Sequence, residues 1–179
     1  QKIRMLGSGH SFSGLVPTDQ TLVSLARLRG IENVDTESKQ VDVLGGTRLS
    51  QLGKELWDNG LSIINMSDID SQTFSGAVAT STHGTGRELQ SISGQMLSSR
   101  FVTANGDVVN CSPTENSDLY YASGNHLGAL GVMTRSRIQT ESAYHLKEHS
   151  WMMSEEEGIE TAAKLSKQHR HYEMFALPH

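Results

Sequence analysis

Cysteine is nearly absent from this chain of 179 residues, and the absence narrows the kinds of protein it could be. The single cysteine, Cys111, cannot form an internal disulfide, and no spacing of Cys and His residues matches a zinc site. A disulfide-stapled scaffold and a structural zinc protein are therefore excluded.

Long apolar runs and targeting signals are also missing from the sequence. No apolar run reaches the roughly 18 residues of a membrane span, so no membrane segment is predicted. The first residues, Gln1 to Arg4, lead into a glycine loop where a signal peptide would have its apolar stretch, so a cytoplasmic protein is expected. Because there is no initiator methionine, we expect an internal fragment whose remainder, in the same polypeptide, completes the protein.

Charge of one sign is not concentrated anywhere in the chain. The 15 Lys and Arg residues stand against 20 Asp and Glu residues, which gives a formal net charge of −5. No block of five or six like charges occurs. Nucleic acid and anionic membrane surfaces are disfavoured as partners, because both are bound by basic patches.

Proline is scarce, with 3 residues, whereas glycine is abundant, with 17. The glycines form clusters at positions 7, 9 and 14, at 45 and 46, at 84 and 86, and at 124, 128 and 131. Such clusters mark places where the backbone turns sharply or approaches a ligand closely. Several of them in one short chain indicate a long ligand that is contacted repeatedly.

The first half of the chain combines short strand patterns with one helical pattern. Residues 20–25 and 40–44 read as strands, the second ended by a glycine pair. Thr47 is the predicted N-cap of an amphipathic helix that stops at Gly60. The apolar positions of this helix are Leu49, Leu52, Leu56 and Trp57. Residues 61–95 have little charge and no helical period, which predicts loops and short strands that wall a ligand.

The second half of the chain predicts antiparallel sheet and one further helix. Residues 101–109 form a hairpin pattern with an Asn-Gly turn, and residues 131–139 alternate as a strand. Residues 154–170 form a helical pattern that opens with a Ser-x-x-Glu capping box. Residues 171–177 alternate again, as a strand. Together these elements predict an α+β protein.

Three glycine-containing segments are candidate binding sites. The first, Gly-Ser-Gly-His-Ser at residues 7–11, presents backbone N–H groups and hydroxyls after a strand, which suits a pyrophosphate. It is not a dinucleotide-binding fingerprint, because Phe12 stands where the third glycine should be, and it is not a P-loop. The second, residues 76–86, packs small hydroxyl residues and glycines around His83 and leaves room for a flat ligand. The third, residues 128–134, places two glycines just before a strand.

In their order and spacing these segments resemble the flavoproteins with the vanillyl-alcohol-oxidase (PCMH-type) FAD-binding domain, specifically the sugar-1,4-lactone oxidases and the alditol oxidases. The motifs that carry the resemblance are Gly-Ser-Gly-His-Ser at 7–11, Ser-Thr-His-Gly-Thr-Gly at 81–86 and Gly-Ala-Leu-Gly-Val-Met-Thr at 128–134. The resemblance extends from Arg4 to Pro178, and residues 171–178 are similar to the first strand of the family's substrate-binding cap.

The resemblance implies a fold of two α+β subdomains, with mixed or antiparallel sheet and helices. Residues 1–143 would belong to the FAD-binding PCMH-type domain, without its N-terminal strands. Residues 144–179 would begin an α+β cap domain that binds substrate. The catalytic base and most substrate contacts are expected in the rest of the cap, so no catalytic residue can be named.

The resemblance also implies a covalent flavin. In the family, the histidine that matches His10 is bonded through its ring to the 8α-methyl group of FAD, and Ser81, Thr82 and Thr85 would line the flavin. Val132 would lie at the nucleotide part. The expected cofactor-binding residues are Gly7, Ser8, Gly9, His10, Ser11, Gly76, Ser81, Thr82, His83, Gly84, Thr85, Gly131 and Val132. No metal ligand is expected.

The implied activity is transfer of a hydride from a sugar-derived alcohol or aldonolactone to flavin N5, with oxygen as the acceptor. A neutral polyhydroxylated substrate is favoured, because residues 76–86 offer no cation for a carboxylate, and the fragment alone is expected to be inactive. One alternative is a dehydrogenase of the same fold with non-covalent FAD. Others are a module that carries a nucleotide without turnover, and a metal-dependent hydrolase using His10, His83, Asp68 and Asp70.

The remaining polar and aromatic residues are predicted to be structural. His169 and His171 form an H-x-H pair, expected at a helix end and on the surface. Cys111 is expected to pack as a small apolar residue, and Tyr120 and Tyr121 to lie in the core on a short helix.

Overall fold

The computed structural model describes residues 2–177, and its largest element is a five-stranded antiparallel sheet. The strands, in spatial order, are β3 (Ile31–Asp35), β4 (Gln40–Leu44), β8 (Val132–Gln139), β6 (Met96–Val102) and β7 (Val108–Cys111). Two small sheets accompany it, a parallel pair and an antiparallel pair. They are β1 (Ile3–Leu6) with β2 (Thr21–Ser24), and β5 (Leu61–Ser62) with β9 (Glu141–Ser142).

Four α-helices occur within the described residues. They are α1 (Leu49–Asp58), α2 (Phe74–Ala79), α3 (Ser117–Ala122) and α4 (Glu155–Gln168). Between residues 2 and 177, no helix has the length and apolar content that a bilayer span requires.

One apolar core joins α1 and α2 to the large sheet. In α1, Leu49, Leu52 and Leu56 recur at helical spacing and are fully buried. Burying a side chain of this size stabilises the fold by about 1.5–3 kcal/mol. Helix α2 packs against β4 and β8. The other fully buried apolar residues of the core include Val41, Val43, Phe74, Ala77, Val78 and Phe101.

A charged pair connects two central strands. Asp42 of β4 lies opposite Arg137 of β8, and the guanidinium donates to both carboxylate oxygens, at 3.1 and 2.8 Å. Burial alone would raise the pKa of Asp42, but Arg137, with Arg135 and Asn33 in support, outweighs burial and holds that pKa below its usual 3.8. The pair therefore favours the ionised carboxylate in the folded protein.

Most of the predicted elements are present. The α+β class and the antiparallel sheet are confirmed, and the strands predicted at 20–25, 40–44 and 131–139 are β2, β4 and β8. The hairpin is β6–β7, and the predicted second helix is α4. At the start of α4, Ser154 accepts a hydrogen bond from the Glu157 amide at 3.2 Å, as the capping box predicts.

The predicted N-cap of α1 is wrong: the helix begins one residue later than predicted, and Thr47 is not its capping residue. Thr47 does not cap the helix; its hydroxyl donates to the Leu44 carbonyl at 2.6 Å and accepts from the Gly30 amide at 2.9 Å. The N-cap is Arg48, whose side chain makes no capping hydrogen bond. Trp57 is also not a core position, since it is 48% exposed, and its ring packs against that of His145 at a tilt of 56°.

Two further predictions about secondary structure are wrong. The stretch 61–95 is not free of helix, because it contains α2. Residues 171–177 form no strand but an irregular segment, most of it exposed, and Pro178 lies outside the described residues. An alternating pattern forms a strand only where a neighbouring strand is available for pairing. Within the described chain, no strand pairs with residues 171–177. The division at 143/144 stays a prediction.

The structural roles given to side chains are largely correct. Cys111 is 1% exposed and burial raises the pKa of its thiol. Tyr120 packs against the core and its hydroxyl donates to the Met96 carbonyl at 2.7 Å. Tyr121, by contrast, is 72% exposed and is not a core residue.

Candidate functional site

The first glycine segment passes directly over the residues that lead into α2. It follows β1, and a Cβ atom added to Gly7 would lie 2.9 Å from Thr73 Oγ1. A Cβ added to Gly76, inside α2, would lie 2.9 Å from the same oxygen. Thr73 is thus held between two glycines, and no larger residue fits at either position without displacing it. This contact joins the first two predicted segments.

His10 lies three residues farther along the first segment and contacts the same region. Its ring Nε2 is 2.6 Å from the hydroxyl of Ser71. The ring itself is exposed, and so are most residues of the irregular stretch that follows it, up to β2. The hydrogen bond to Ser71 therefore fixes a side chain that its own loop leaves open to solvent.

The segment that carries Ser71 and Thr73 is fixed by the N-terminus of α1. The first amides of a helix have no partner within the helix. Here the Leu49 amide donates to the Gln72 carbonyl at 3.0 Å, and the Ser50 amide donates to the Asp70 carbonyl at 2.8 Å. The Arg48 guanidinium donates to the Ser71 carbonyl at 3.2 Å. The residues at the start of α1 thus position the segment that carries Ser71 and Thr73.

The second predicted segment adds a series of hydroxyl groups beyond the end of α2. Thr80 Oγ1 lies 3.0 Å from Thr82 Oγ1, which accepts from the Gln72 side chain at 3.3 Å. Ser81 takes a left-handed backbone conformation, with φ of 51°, and its hydroxyl lies 3.3 Å from that of Ser93. A serine in this region is strained, which is common where local geometry serves a ligand.

Gly84 is pressed against a neighbouring loop. A Cβ at this position would lie 2.1 Å from the Met66 carbonyl oxygen and 2.5 Å from Asn65 Oδ1. Only glycine allows this approach. The adjacent His83 is exposed, and its Nδ1 lies 2.8 Å from the Gly84 carbonyl oxygen.

The residue just before the third predicted segment contacts the same helix at its C-terminal end. The Leu127 amide donates to the Ala79 carbonyl at 3.0 Å, and Val132 begins β8, against which α2 packs. His126 precedes this segment and is buried, with 8% of its surface exposed. Burial lowers the pKa of its imidazole. Its Nδ1 accepts from the Gly128 amide at 3.1 Å, so the ring is held neutral within the fold.

The segment after α4 also contacts the site, which the sequence did not predict. His171 Nδ1 lies 3.1 Å from Thr85 Oγ1, while its Nε2 is buried without a partner among the described residues. Arg170 donates to the Ile64 carbonyl at 2.9 Å and pairs with Glu141. The surface role predicted for His171 is therefore wrong, whereas His169 is exposed at the end of α4 as expected.

Of the predicted residues, Gly7 and His10 contact the segment that leads into α2, and Gly76 lies in α2. The positions of the whole predicted set along the chain are as follows. Those before α2 are Gly7, Ser8, Gly9, His10 and Ser11; those in or just after it are Gly76, Ser81, Thr82, His83, Gly84 and Thr85; Gly131 and Val132 open β8. Sequence reasoning missed Gln72, Thr73 and Ser71 as members. The signal was available, because these polar residues directly precede the second glycine segment.

Several buried polar atoms at this place have no hydrogen-bond partner in the described chain. Ser8 Oγ, Gln72 Oε1 and Thr73 Oγ1 are among them, and so is Arg4 Nε on β1. Buried polar atoms are normally satisfied, so orphaned ones in one region indicate a bound polar ligand or water. The set offers hydroxyls, an amide oxygen and a guanidinium beside exposed backbone of a glycine loop, which fits phosphate and heteroaromatic groups together.

A groove elsewhere in the described chain fits such a ligand poorly, and the described residues form no metal site. A groove of about 370 Å³ lies between β3 and the end of α1, but Glu32, Glu55 and Asp58 line it, and it holds none of the predicted residues. Among residues 2–177 no group of three or more His, Cys, Asp or Glu side chains could hold a metal ion. The metal-dependent hydrolase therefore has no support.

Comparison with known proteins gives a consistent result. The sequence profile of a family described as "FAD binding domain" matches residues 1–112. Over 179 residues the chain is 35% identical to an L-gulono-1,4-lactone dehydrogenase of Mycobacterium tuberculosis and 28% identical to an L-gulonolactone oxidase of Bos taurus. Each match covers 100% of this chain and 41% of the relative. The chain thus spans about two fifths of the length of these curated relatives.

The fold of this chain is also similar to that of a protein of known structure. The crystal structure of 6-hydroxy-D-nicotine oxidase from Arthrobacter nicotinovorans superposes with a TM-score of 0.72 at 26% sequence identity. The match covers 78% of this chain and 31% of that chain.

Proposed function

Because this chain belongs to the family of FAD binding domains, we propose that it binds FAD around α2, as part of an oxidoreductase that acts on an aldonolactone or a related sugar alcohol. The observation that carries the proposal is the group of unpartnered buried atoms of Ser8, Gln72 and Thr73, of which Thr73 lies between Gly7 and Gly76. FAD, when bound, accepts a hydride from a substrate carbon and passes two electrons to a final acceptor.

The residues divide the binding of FAD among them. The backbone of residues 7–11 and the Ser8 hydroxyl bind the pyrophosphate, because consecutive N–H groups of a glycine turn form an anion-binding concavity. Ser81, Thr82 and Thr85 bind the polar edge of the flavin, and the close contacts of Gly76 and Gly84 leave space for its ring system. Val132 and Gly131 contact the nucleotide part.

The proposed substrate is neutral and rich in hydroxyl groups. Arg87, the basic residue closest in sequence to the second segment, is exposed and lies 3.7 Å from Glu88. Arg170 is already engaged by the Ile64 carbonyl and Glu141. Both of these cations have a carboxylate neighbour, and the relatives named above are lactone enzymes, which together support a neutral substrate.

We further propose that FAD is bonded covalently through His10, which lies in the proposed pyrophosphate loop and is exposed. The test is to denature and acid-precipitate the full-length protein and measure flavin absorbance in pellet and supernatant. Flavin in the pellet of wild type and in the supernatant of His10→Ala is the expected result. Flavin wholly in the wild-type supernatant would refute the covalent bond, and colourless native protein would refute FAD binding.

A dehydrogenase with another electron acceptor is the second candidate, because relatives of both kinds are found: an oxidase in Bos taurus and a dehydrogenase in Mycobacterium tuberculosis. The two are separated by following peroxide and an artificial dye during turnover of an aldonolactone. Dye reduction without peroxide identifies a dehydrogenase. Reduction only by 2-hydroxy acids would exclude the proposed substrate class.

A further inference from the structure

The geometry points to Ser71 as the residue that positions His10 for its bond to the flavin. This inference rests on the covalent attachment proposed above. It starts from the hydrogen bond of 2.6 Å between His10 Nε2 and Ser71 Oγ. The two residues are 61 positions apart, so the contact is made by the fold and is not a property of the local loop.

His10 depends on this contact for its orientation. Its side chain is exposed, the backbone around it has no regular secondary structure, and within residues 2–177 no second hydrogen bond reaches its ring. An exposed imidazole without a partner samples several rotamers. A single hydrogen bond to one ring nitrogen is then enough to select the ring orientation.

Ser71, in contrast, is held on both sides. The carbonyls of Asp70 and Gln72 accept from the first amides of α1, and its own carbonyl accepts from Arg48. Three hydrogen bonds therefore fix the backbone of this short segment to a helix whose leucines are fully buried. The Ser71 hydroxyl is therefore held in place, and its hydrogen bond fixes the orientation of the His10 ring.

The hydrogen bond also decides which ring nitrogen reacts. The partner of one imidazole nitrogen determines the state of the other. Ser71 Oγ occupies Nε2 in either tautomer, so Nδ1 is the ring nitrogen left to bond the flavin. We assign the proton to Nε2, which donates to Ser71 Oγ, and the free lone pair to Nδ1. In the bonding step, the 8α-methyl carbon loses one hydrogen and forms a C–N bond with Nδ1. The ring then loses its Nε2 proton to water.

Atoms and electrons balance with oxygen as the oxidant. The C–H and N–H bonds broken release two protons and leave two electrons on the flavin, which pass to O₂ to give H₂O₂. While the new bond forms, positive charge develops on the imidazole. The Ser71 oxygen stabilises that charge through the Nε2–H, because hydrogen bonds to charged donors are stronger than neutral ones.

The experiment measures the rate of covalent attachment separately from binding. Full-length protein is prepared without FAD from riboflavin-starved cells and mixed with FAD in air. Covalent flavin is read from acid-precipitated pellets over time, and reversible binding from quenching of flavin fluorescence. The variants are Ser71→Ala, Ser71→Thr and the control Ser67→Ala, which removes a nearby hydroxyl that donates to the Ile69 carbonyl at 2.8 Å.

At saturating FAD, Ser71→Ala should attach the bound FAD at least about tenfold more slowly, which corresponds to the loss of one hydrogen bond. Ser71→Thr, which retains a hydroxyl, and Ser67→Ala should attach FAD at the wild-type rate. An unchanged rate in Ser71→Ala overturns the inference, and so does an equal slowing in Ser67→Ala.

A measurement on the wild-type protein keeps the inference testable if Ser71→Ala does not fold. NMR of the isolated flavin peptide identifies the linked nitrogen. Linkage through Nδ1 supports the role of Ser71, and linkage through Nε2 overturns it, because that atom cannot bond the flavin and hydrogen-bond Ser71. If the wild type holds no covalent flavin, the proposed attachment itself is wrong, which is a different result from an unaffected variant.

Discussion

Replacing Gly84 by alanine should damage the candidate site in a way that can be calculated from the structure. The new Cβ would lie 2.1 Å from the Met66 carbonyl oxygen, whereas ordinary contact begins at 3.4 Å, so relieving the overlap completely would require the two loops to separate by about 1.3 Å. The atom in the way belongs to backbone and cannot rotate aside. Overpacking of this kind costs about 1–3 kcal/mol.

The strain can be released in two ways, and each has its own readout. If the loops stay together, the free energy of unfolding of the apoprotein falls by about 2 kcal/mol, measured by urea denaturation with tryptophan fluorescence. If they separate, the proposed FAD site changes shape and the Kd for FAD rises roughly thirtyfold, the equivalent of the same energy.

A second glycine provides the matched control. Gly53 lies inside α1, and a Cβ there meets nothing within 4 Å. Gly53→Ala should therefore stabilise the protein by about 0.5–1 kcal/mol and leave the Kd unchanged. The reasoning is refuted if Gly84→Ala changes neither stability nor FAD affinity.

Two further predictions concern titratable groups. Asp42→Asn should lower the free energy of unfolding by about 2 kcal/mol at neutral pH, because Arg137 is left half-buried without its carboxylate. Since the pKa of Asp42 is lower in the folded protein than its usual 3.8, the difference from wild type should persist down to about pH 4 and shrink below it, in urea titrations at several pH values. A pH-independent difference would contradict this. Cys111, whose burial raises its pKa, should react with a thiol reagent at pH 8 far more slowly in native than in denatured protein; equal rates would refute its burial.

The sequence correctly predicts the helices that are specified by their own local residue pattern. The spacing of Leu49, Leu52 and Leu56 and the Ser154 cap each specify a helix locally, and both helices are found. Helix α2 was missed because serine and glycine interrupt its short apolar pattern, and because its stability comes from Phe74, Ala77 and Val78 packing on the sheet. Thr47 matches the residue type of an N-cap, but the fold uses its hydroxyl to fix a distant glycine.

The residues of the candidate site also fall into two groups. Some belong to a local sequence motif, and others are defined only by a long-range contact. Glycine and hydroxyl motifs identified three segments, each of which contacts the region of α2 directly or through an adjacent residue. The roles of Ser71, Thr73 and His171 could not be predicted, since each depends on a partner far away in sequence. Thr73 is defined by two glycines, one of them 66 positions earlier at Gly7, and His171 by Thr85, 86 positions before it.

These separations have a consequence for how the protein is made. His10 meets Ser71 across 61 positions and Thr85 meets His171 across 86, so each contact requires closure of a long loop of chain. Long-range contacts of this kind form late in folding. During synthesis, Thr85 has no partner until residue 171 has left the ribosome. We therefore expect FAD to bind an already folded protein, and adding FAD should leave the refolding rate of the tryptophan signal unchanged.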